Sequence, residues 1–540
     1  MEIYEFSLPS ANPFVSKLTG NSLDSHTYFD YDFHQEDVYQ KRQQEIMSRS
    51  FDRTGLCRYL KSYNEKFRAP AVMDNIDRLQ EDGSTVVIGG QQAGLLTGPL
   101  YTIHKIISIL ALAKEQEQEL GKPVIPMFWI AGEDHDFEEI NHVFVNHAGK
   151  MKKKTIGQRI LEKRPAAAIE LDREACKDWA VDILREFGET SYTKGLLKKL
   201  THMIDQSATY TEFFEWLVMD MFGSEGLVLI QSADAGLREM ETEHFTKLIR
   251  LNKEISDAVT DQQKVLTDSG FNPIIDSAPG SAHLFFESGH QRLLLYRDEG
   301  GRFTDKEGSL SFTEEELLNE LRTFPCKFSN NVVTRPVMQE LMLPVLGFIA
   351  GPGELAYWAE LKKVFEVMGI KMPVVVPRLN ITILERAVEA DLADLNLDLD
   401  QALSGDLGAM KAEWLEQNRG LDINALEAGS AADMERIHKT LSEKVVSEFP
   451  GMKSYTDKNL QFILRQLDLL KRETEKNIER KHHAVLSKFD RAELFLKPEG
   501  GFQERTWNIF YYLNKFGGSF PVKLSRLSYS FNNQHKVVKL

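Results

Sequence analysis

The sequence predicts an α/β fold: a doubly wound parallel sheet carrying two long insertions, followed by a long α-helical coiled-coil domain. Three observations lead there. Five short apolar runs each end in polar or Gly/Pro residues. The first two are joined by one stretch with apolar residues at helical spacing. Residues 455–487 contain neither glycine nor proline.

The first strand, residues 85–88, is a β-branched run that leads straight into Gly89-Gly90-Gln91-Gln92. Thr97 or Gly98 can cap the helix that follows, and Pro99 suits its first turn. Leu100, Ile103, Ile107, Leu110 and Ala111 then repeat on one face until Gly121. VIPMFWIA (124–131) makes the second strand, and a strand–helix–strand order of this kind gives a parallel pair. GLVLIQSAD (226–234), LPVLGFIAGPGE (343–354) and MPVVVPR (372–378) repeat the pattern. Such a Rossmann-like sheet binds ligands outside the carboxyl ends of its strands, where these polar loops gather. Residues 145–222 and 235–342 are too long for simple crossovers and read as insertions that roof the site, all within a core spanning residues 1–380.

Residues 381–499 form the helical domain. A helix over 455–487 would be about 50 Å long at 1.5 Å per residue. Leu460, Ile463, Leu467 and Leu470 follow 3-4-3 spacing, continued imperfectly by Thr474, Asn477 or Ile478, and Val485, which predicts a coiled coil. Its partner is either the helix around 434–449 or another subunit, so a homodimer is expected. The aromatic tail from residue 500 to 540 is expected to pack back on the core. Trp507 and Tyr511 there have two readings, ordinary packing or a second pocket with an aromatic platform for a flat ligand.

Composition narrows the function. With 540 residues, 42% hydrophobic and 27% charged, the chain suits a soluble globular protein, and no apolar run nears the roughly 20 residues of a membrane helix. The amino terminus lacks a basic start and a long apolar block, so the cytoplasm is the expected location. Cys57, Cys176 and Cys326 are far apart without CxxC spacing, against a disulfide framework or a thiolate zinc site. A net charge of −16 disfavours nucleic acid as partner and favours a small molecule.

Four stretches can carry chemistry. In GGQQAGLLTGPLYTIHK (89–105), Gly90, Gln91, Gln92, Gly94, Thr97 and Gly98 would let backbone N–H groups approach an anion at a helix amino terminus, with His104 and Lys105 adding donors. His104 also shares a face with Leu100 and Ile107, so a buried, satisfied histidine is the other reading. The stretch matches neither the P-loop nor the dinucleotide fingerprint. In GEDHDFEEINH (132–142), Glu133, Asp134, His135 and Asp136 are either a solvated helix start or groups that bind hydroxyls and amines and supply a general base. With His142 they also raise a metal site, but the spacing matches no standard ligand set, so no tightly bound metal is expected. GPGELAYW (351–358) presents Gly353, Glu354 and Tyr357. Arg378, at the end of the fifth strand, would hold a carboxylate or phosphate, and Asn331 and Arg335 of NNVVTRP belong to the same mouth.

GGQQAGLLTGPLYTIHKI, FWIAGEDHDFEEINHV, RPVMQE, IAGPGELAYW and the long-helix segment together resemble the BshC family, cysteine ligases of bacillithiol biosynthesis in Gram-positive bacteria. The resemblance covers essentially the whole chain. It implies the last step of that pathway, an amide between cysteine and the glucosamine nitrogen of glucosaminyl-malate. It also implies a distant nucleotidyltransferase-type core with two connecting insertions and a dimerising coiled coil. The HIGH-type signature is incomplete here, with His104 as its one histidine and no KMSKS-like loop after Arg378. An amide-forming ligase implies ATP, with magnesium as an accompanying ion, as well as cysteine and glucosaminyl-malate as substrates. In that scheme Glu133–Asp136 act as base, Gly94, Thr97, Gly98 and His104 hold phosphate or developing charge, and Arg378 fixes a carboxylate. The alternative is a non-catalytic dimeric scaffold that binds a nucleotide or sugar.

Overall fold

The computed structural model describes residues 1–540 apart from 11, 135, 159, 161–163, 279 and 290. Their contacts divide them into two compact units. The larger comprises Ile3–Thr382 with Gln503–Val538, and the smaller comprises Ile383–Phe502 with Met1–Glu2 and Lys539–Leu540.

The larger unit is built on five strands: β1 (Thr85–Gln91), β2 (Val124–Ile130), β3 (Val228–Gln231), β4 (Val345–Ala350) and β5 (Val374–Pro377). They are all parallel, in the order β5-β4-β1-β2-β3. These are the five runs the sequence singled out. Each carries an apolar run because a parallel sheet is covered on both faces, with β1 and β3 turning polar or glycine-rich only at their ends, and all seven residues of β2 are buried. Helix α1 (Leu100–Leu120) joins β1 to β2 and ends at Gly121, whose φ of 61° is left-handed. Such a C-terminal position favours glycine because other residues carry a Cβ penalty there. After β1 the chain moves to one side of the sheet and later returns to the other, so the strand order reverses between β1 and β4. That is the switch point at which doubly wound sheets open a crevice.

Between β2 and β3 lie, among the described residues, the hairpin His142–His147 and Lys150–Thr155 and four α-helices, of which Tyr210–Phe222 stacks Phe214 on Phe128 of β2 at 6.0 Å. Between β3 and β4 two helices precede an antiparallel sheet whose strands Ser281–Ser288, Gln291–Arg297 and Phe328–Asn330 adjoin one another.

The smaller unit is helical, and its longest element, Lys453–Leu496, has 44 residues. It pairs with Ile423–Glu448, and His438 meets Asn459 Oδ1 at 3.2 Å across the pair. The seam departs from the sequence reading at Leu470, which is 63% exposed. The partly covered positions are 460, 463, 464, 467, 468, 471, 474, 475 and 478, so position 471 takes the place expected for 470, and 460, 464, 467, 471, 474 and 478 keep an unbroken 4-3-4-3-4 spacing. Among the described residues no helix is long and apolar enough to cross a membrane.

Candidate active site

A cleft of about 610 Å³ opens in the larger unit over the carboxyl ends of four strands. Gly90, Gln91 and Gln92 come from the end of β1, and Glu133 and Asp134 follow β2. Gly353, Glu354 and Tyr357 follow β4, and Arg378 follows β5. Lys105 reaches in from α1, while the segment before β4 supplies Asn331 and Arg335. Twelve of the residues chosen from sequence therefore line one cavity.

A glycine is required at the end of β1. A Cβ on Gly90 would stand 2.8 Å from the Trp129 carbonyl oxygen of β2, closer than nonbonded atoms tolerate, so bare backbone forms this floor. The Gly90 carbonyl accepts from Lys105 Nζ at 2.6 Å, and that ammonium also pairs with Glu354. Burial draws the Lys105 pKa down, with Glu354 opposing the shift. Glu354 in turn accepts the Gly351 N–H at 2.8 Å. Lys105 thus cross-links β1 to the turn after β4.

Of the four arginines that line the cleft, Arg292, Arg335 and the exposed Arg505 differ from Arg378. Arg335 is half-buried and donates to the Tyr357 hydroxyl. Burial pushes the Tyr357 pKa up to about 12, against the pull of Arg335. Arg292 lies with its guanidinium 3.8 Å from the centroid of Phe285, donates to Ser329 Oγ at 2.9 Å and stands 3.9 Å from Asp134 Oδ1. None of Arg292, Arg335 and Arg505 has a carboxylate in direct hydrogen-bonding contact among the described residues, so all three remain able to take an anion. Arg378 does not, because Glu504 grips it through both nitrogens, one at 2.7 Å. Burial opposes the Glu504 charge, yet Arg378 and His104 hold its carboxyl well below the usual range.

Several expectations are corrected. His104 does not reach the cleft: it is fully buried, with Nδ1 2.9 Å from Glu504 Oε2, and burial lowers its pKa against the pull of that carboxylate. The loop holding Gly94, Thr97 and Gly98 is sealed as well. The Leu100 N–H, expected to face an anion, donates to the Trp507 carbonyl at 2.8 Å, and Asn508 Nδ2 donates to the Leu96 and Gly98 carbonyls at 2.9 and 2.7 Å. The tail occupies the cradle. Glu133 is 5% exposed and paired with Arg238, which also holds Glu241, so its charge is already answered. Asp136 is exposed and outside the cleft, and His135 lies outside the described residues. Asn331 lines the cleft, but Oδ1 accepts the Val333 and Thr334 N–H groups and Nδ2 meets His283 Nδ1.

Trp507 is 1% exposed with its ring centroid 4.5 Å from that of Tyr511, which is packing rather than an open platform. A separate cavity of about 260 Å³ near that helix is lined by Phe510 and Leu513 instead. The roof also differs. The 235–342 segment contributes Phe285, Arg292 and Asn330, but no described residue of 145–222 lines the cleft, its last helix being packed against β2.

Among the acids chosen from sequence, Asp134 is left as the open one in the cleft, where the exposed Glu139 and Asp276 join it. Asp134 is partly exposed, accepts from Gln92 Nε2 at 3.1 Å and faces Arg292. Sequence reasoning missed Arg292, Asn330, Asp276 and Glu504. Only Glu504 carried a signal, as a charged pair with Arg505 inside an aromatic tail.

Two family models match the chain. The Bacillithiol biosynthesis BshC, N-terminal Rossmann-like domain covers residues 1–379, and the BshC C-terminal coiled-coil domain covers 381–540. Proteins named "Putative cysteine ligase BshC" align over 100% of both chains. They are 43% identical in Geobacillus sp. (strain WCH70) and Bacillus velezensis, and 42% in Geobacillus thermodenitrificans. The chain belongs to the BshC family of bacillithiol biosynthesis.

Proposed function

We propose that this chain is a cysteine ligase that joins the carboxyl group of cysteine to the amine of glucosaminyl-malate, completing bacillithiol. The observation that carries it is the cleft's pairing of an open acid, Asp134, with two guanidinium groups, Arg292 and Arg335, at the switch point of the sheet. The family and the names of its relatives supply the substrates.

Condensing a carboxylate with an ammonium releases water and is unfavourable in aqueous solution, so the acyl group needs activation. ATP is the expected co-substrate and would supply a leaving group on the cysteine carboxyl. The residues present suit such a guest, since Arg292 and Arg335 can neutralise phosphate or carboxylate oxygens. Magnesium would enter with the nucleotide, held through its phosphate oxygens. Asp134 takes the proton from the sugar ammonium, freeing the nitrogen lone pair for attack, and Gln92 orients the carboxylate from the other side. Arg378, clamped by Glu504, fixes one edge of the pocket rather than binding anions directly.

A non-catalytic scaffold is the competing reading, favoured by the burial of His104 and the sealed 94–98 loop. Incubating purified protein with cysteine, glucosaminyl-malate and magnesium ATP separates the two. A ligase yields bacillithiol and a stoichiometric nucleotide by-product in the mass spectrum. Binding of glucosaminyl-malate without turnover under these conditions would favour the scaffold.

A further inference from the structure

The sequence contains two adjacent asparagines at the cleft, and the structure uses them oppositely. Asn331 is consumed by the Val333 and Thr334 N–H groups and by His283. Asn330 is 1% exposed, lines the cleft, and neither Oδ1 nor Nδ2 has a hydrogen-bond partner among the described residues. Its backbone is fully engaged, pairing with Leu284 in the sheet and accepting from Arg292 Nη2 at 2.6 Å. A buried carboxamide with both ends idle carries a desolvation penalty that native chains rarely leave unanswered.

The strand opposite is shaped for this position. Its register breaks between Ser281 and Phe285, with His283 at a φ of 54°. Bulges of this kind re-aim side chains beside functional sites. Both polar atoms are shielded from solvent, and the broad, two-fold terminal torsion of asparagine lets the carboxamide present either its donor or its acceptor once a ligand displaces the cover.

Building on the ligase reading, we propose that Asn330 is a specificity-determining residue that grips the sugar hydroxyls of the aminosugar substrate. Vicinal hydroxyls offer a donor and an acceptor side by side, matching the two idle atoms. A purine edge would offer the same pair, but it needs an aromatic or apolar slot beside it, and the phenyl ring of this wall, Phe285, already carries the Arg292 guanidinium. Asp134 and Asp276 line the same cavity and would receive the amine of such a sugar.

The test measures, by calorimetry on the full-length protein, binding of glucosaminyl-malate and of malate alone, with thermal unfolding in parallel. Asn330→Ala and the near-isosteric Asn330→Leu are each expected to weaken glucosaminyl-malate roughly tenfold, the scale of one or two lost hydrogen bonds. Malate affinity and the melting temperature should not fall, because an idle buried amide stabilises nothing. Unchanged glucosaminyl-malate affinity in both variants would overturn the assignment while leaving the ligase reading intact. Equal losses for malate and glucosaminyl-malate, with a lowered melting temperature, would make Asn330 structural and also overturn it. Failure of the wild-type protein to bind glucosaminyl-malate would remove the ligase reading, and the sugar assignment with it.

Discussion

Replacing Glu504 by alanine should cost stability out of proportion to the size of the side chain. The carboxylate accepts from both terminal nitrogens of Arg378 and sits 2.9 Å from His104 Nδ1. Glu504 is 4% exposed and Arg378 6%, so solvent cannot take over either charge. Deleting one member of a buried pair leaves the other uncompensated, which costs about 3–5 kcal/mol. The pair itself need not be stabilising overall, because its desolvation offsets much of the attraction. A double variant, Arg378→Met with Glu504→Leu, should therefore lie within about 2 kcal/mol of wild type. Urea unfolding followed by tryptophan fluorescence reads both, since Trp507 is three residues away. A loss below about 1 kcal/mol for Glu504→Ala would place the pair in a solvated setting and refute the clamp. A double variant worse than the sum of the single ones would refute the desolvation reasoning.

Three further outcomes are expected. His283 and His535 are buried, and burial pushes each pKa down to about 4. Unfolding raises them towards the ordinary value, so stability is present above about pH 6.5 and is lost on acidification towards pH 4, by about 2 kcal/mol per histidine at pH 5. Urea midpoints at pH 7.5 and 5 check the sign, and His283→Gln should flatten part of the difference. Asn508→Ala removes the donors to the Leu96 and Gly98 carbonyls and should cost about 1–3 kcal/mol, with amide exchange accelerating at 94–100 while strand β2 stays protected. Tyr455, Phe462 and Leu469 recur every seven residues and are 54–65% exposed, an unsatisfied stripe that a second copy would cover. Sedimentation should show a dimer for wild type and a monomer for the Phe462→Glu, Leu469→Glu variant. A wild-type monomer would remove the dimer expectation.

Strand ends were legible in the sequence because a parallel sheet buried on both faces demands unbroken apolar runs, and those runs stop where the site begins. Residue types that gather at one edge could be read by the same logic, which is why Lys105, Asp134, Glu354 and Arg378 fall together. Competition for each group was not legible. His104 and the start of α1 look available until Glu504 and Trp507, some 400 positions later, take them. Asn330 and Asn331 are indistinguishable as letters, and only the turn at Val333 decides which one is spent. Arg292 lies in a strand where nothing local marks it, and the antiparallel pairing of the second insertion brings it to the cleft.

The most direct measurement is the bacillithiol content of a strain lacking the native gene and supplied with wild-type chain or Asp134→Asn at equal protein levels. Wild type should restore the thiol, and Asp134→Asn should leave it about 100-fold or more lower, the scale of a lost general base. Full restoration by Asp134→Asn would contradict the acid's role in the cleft.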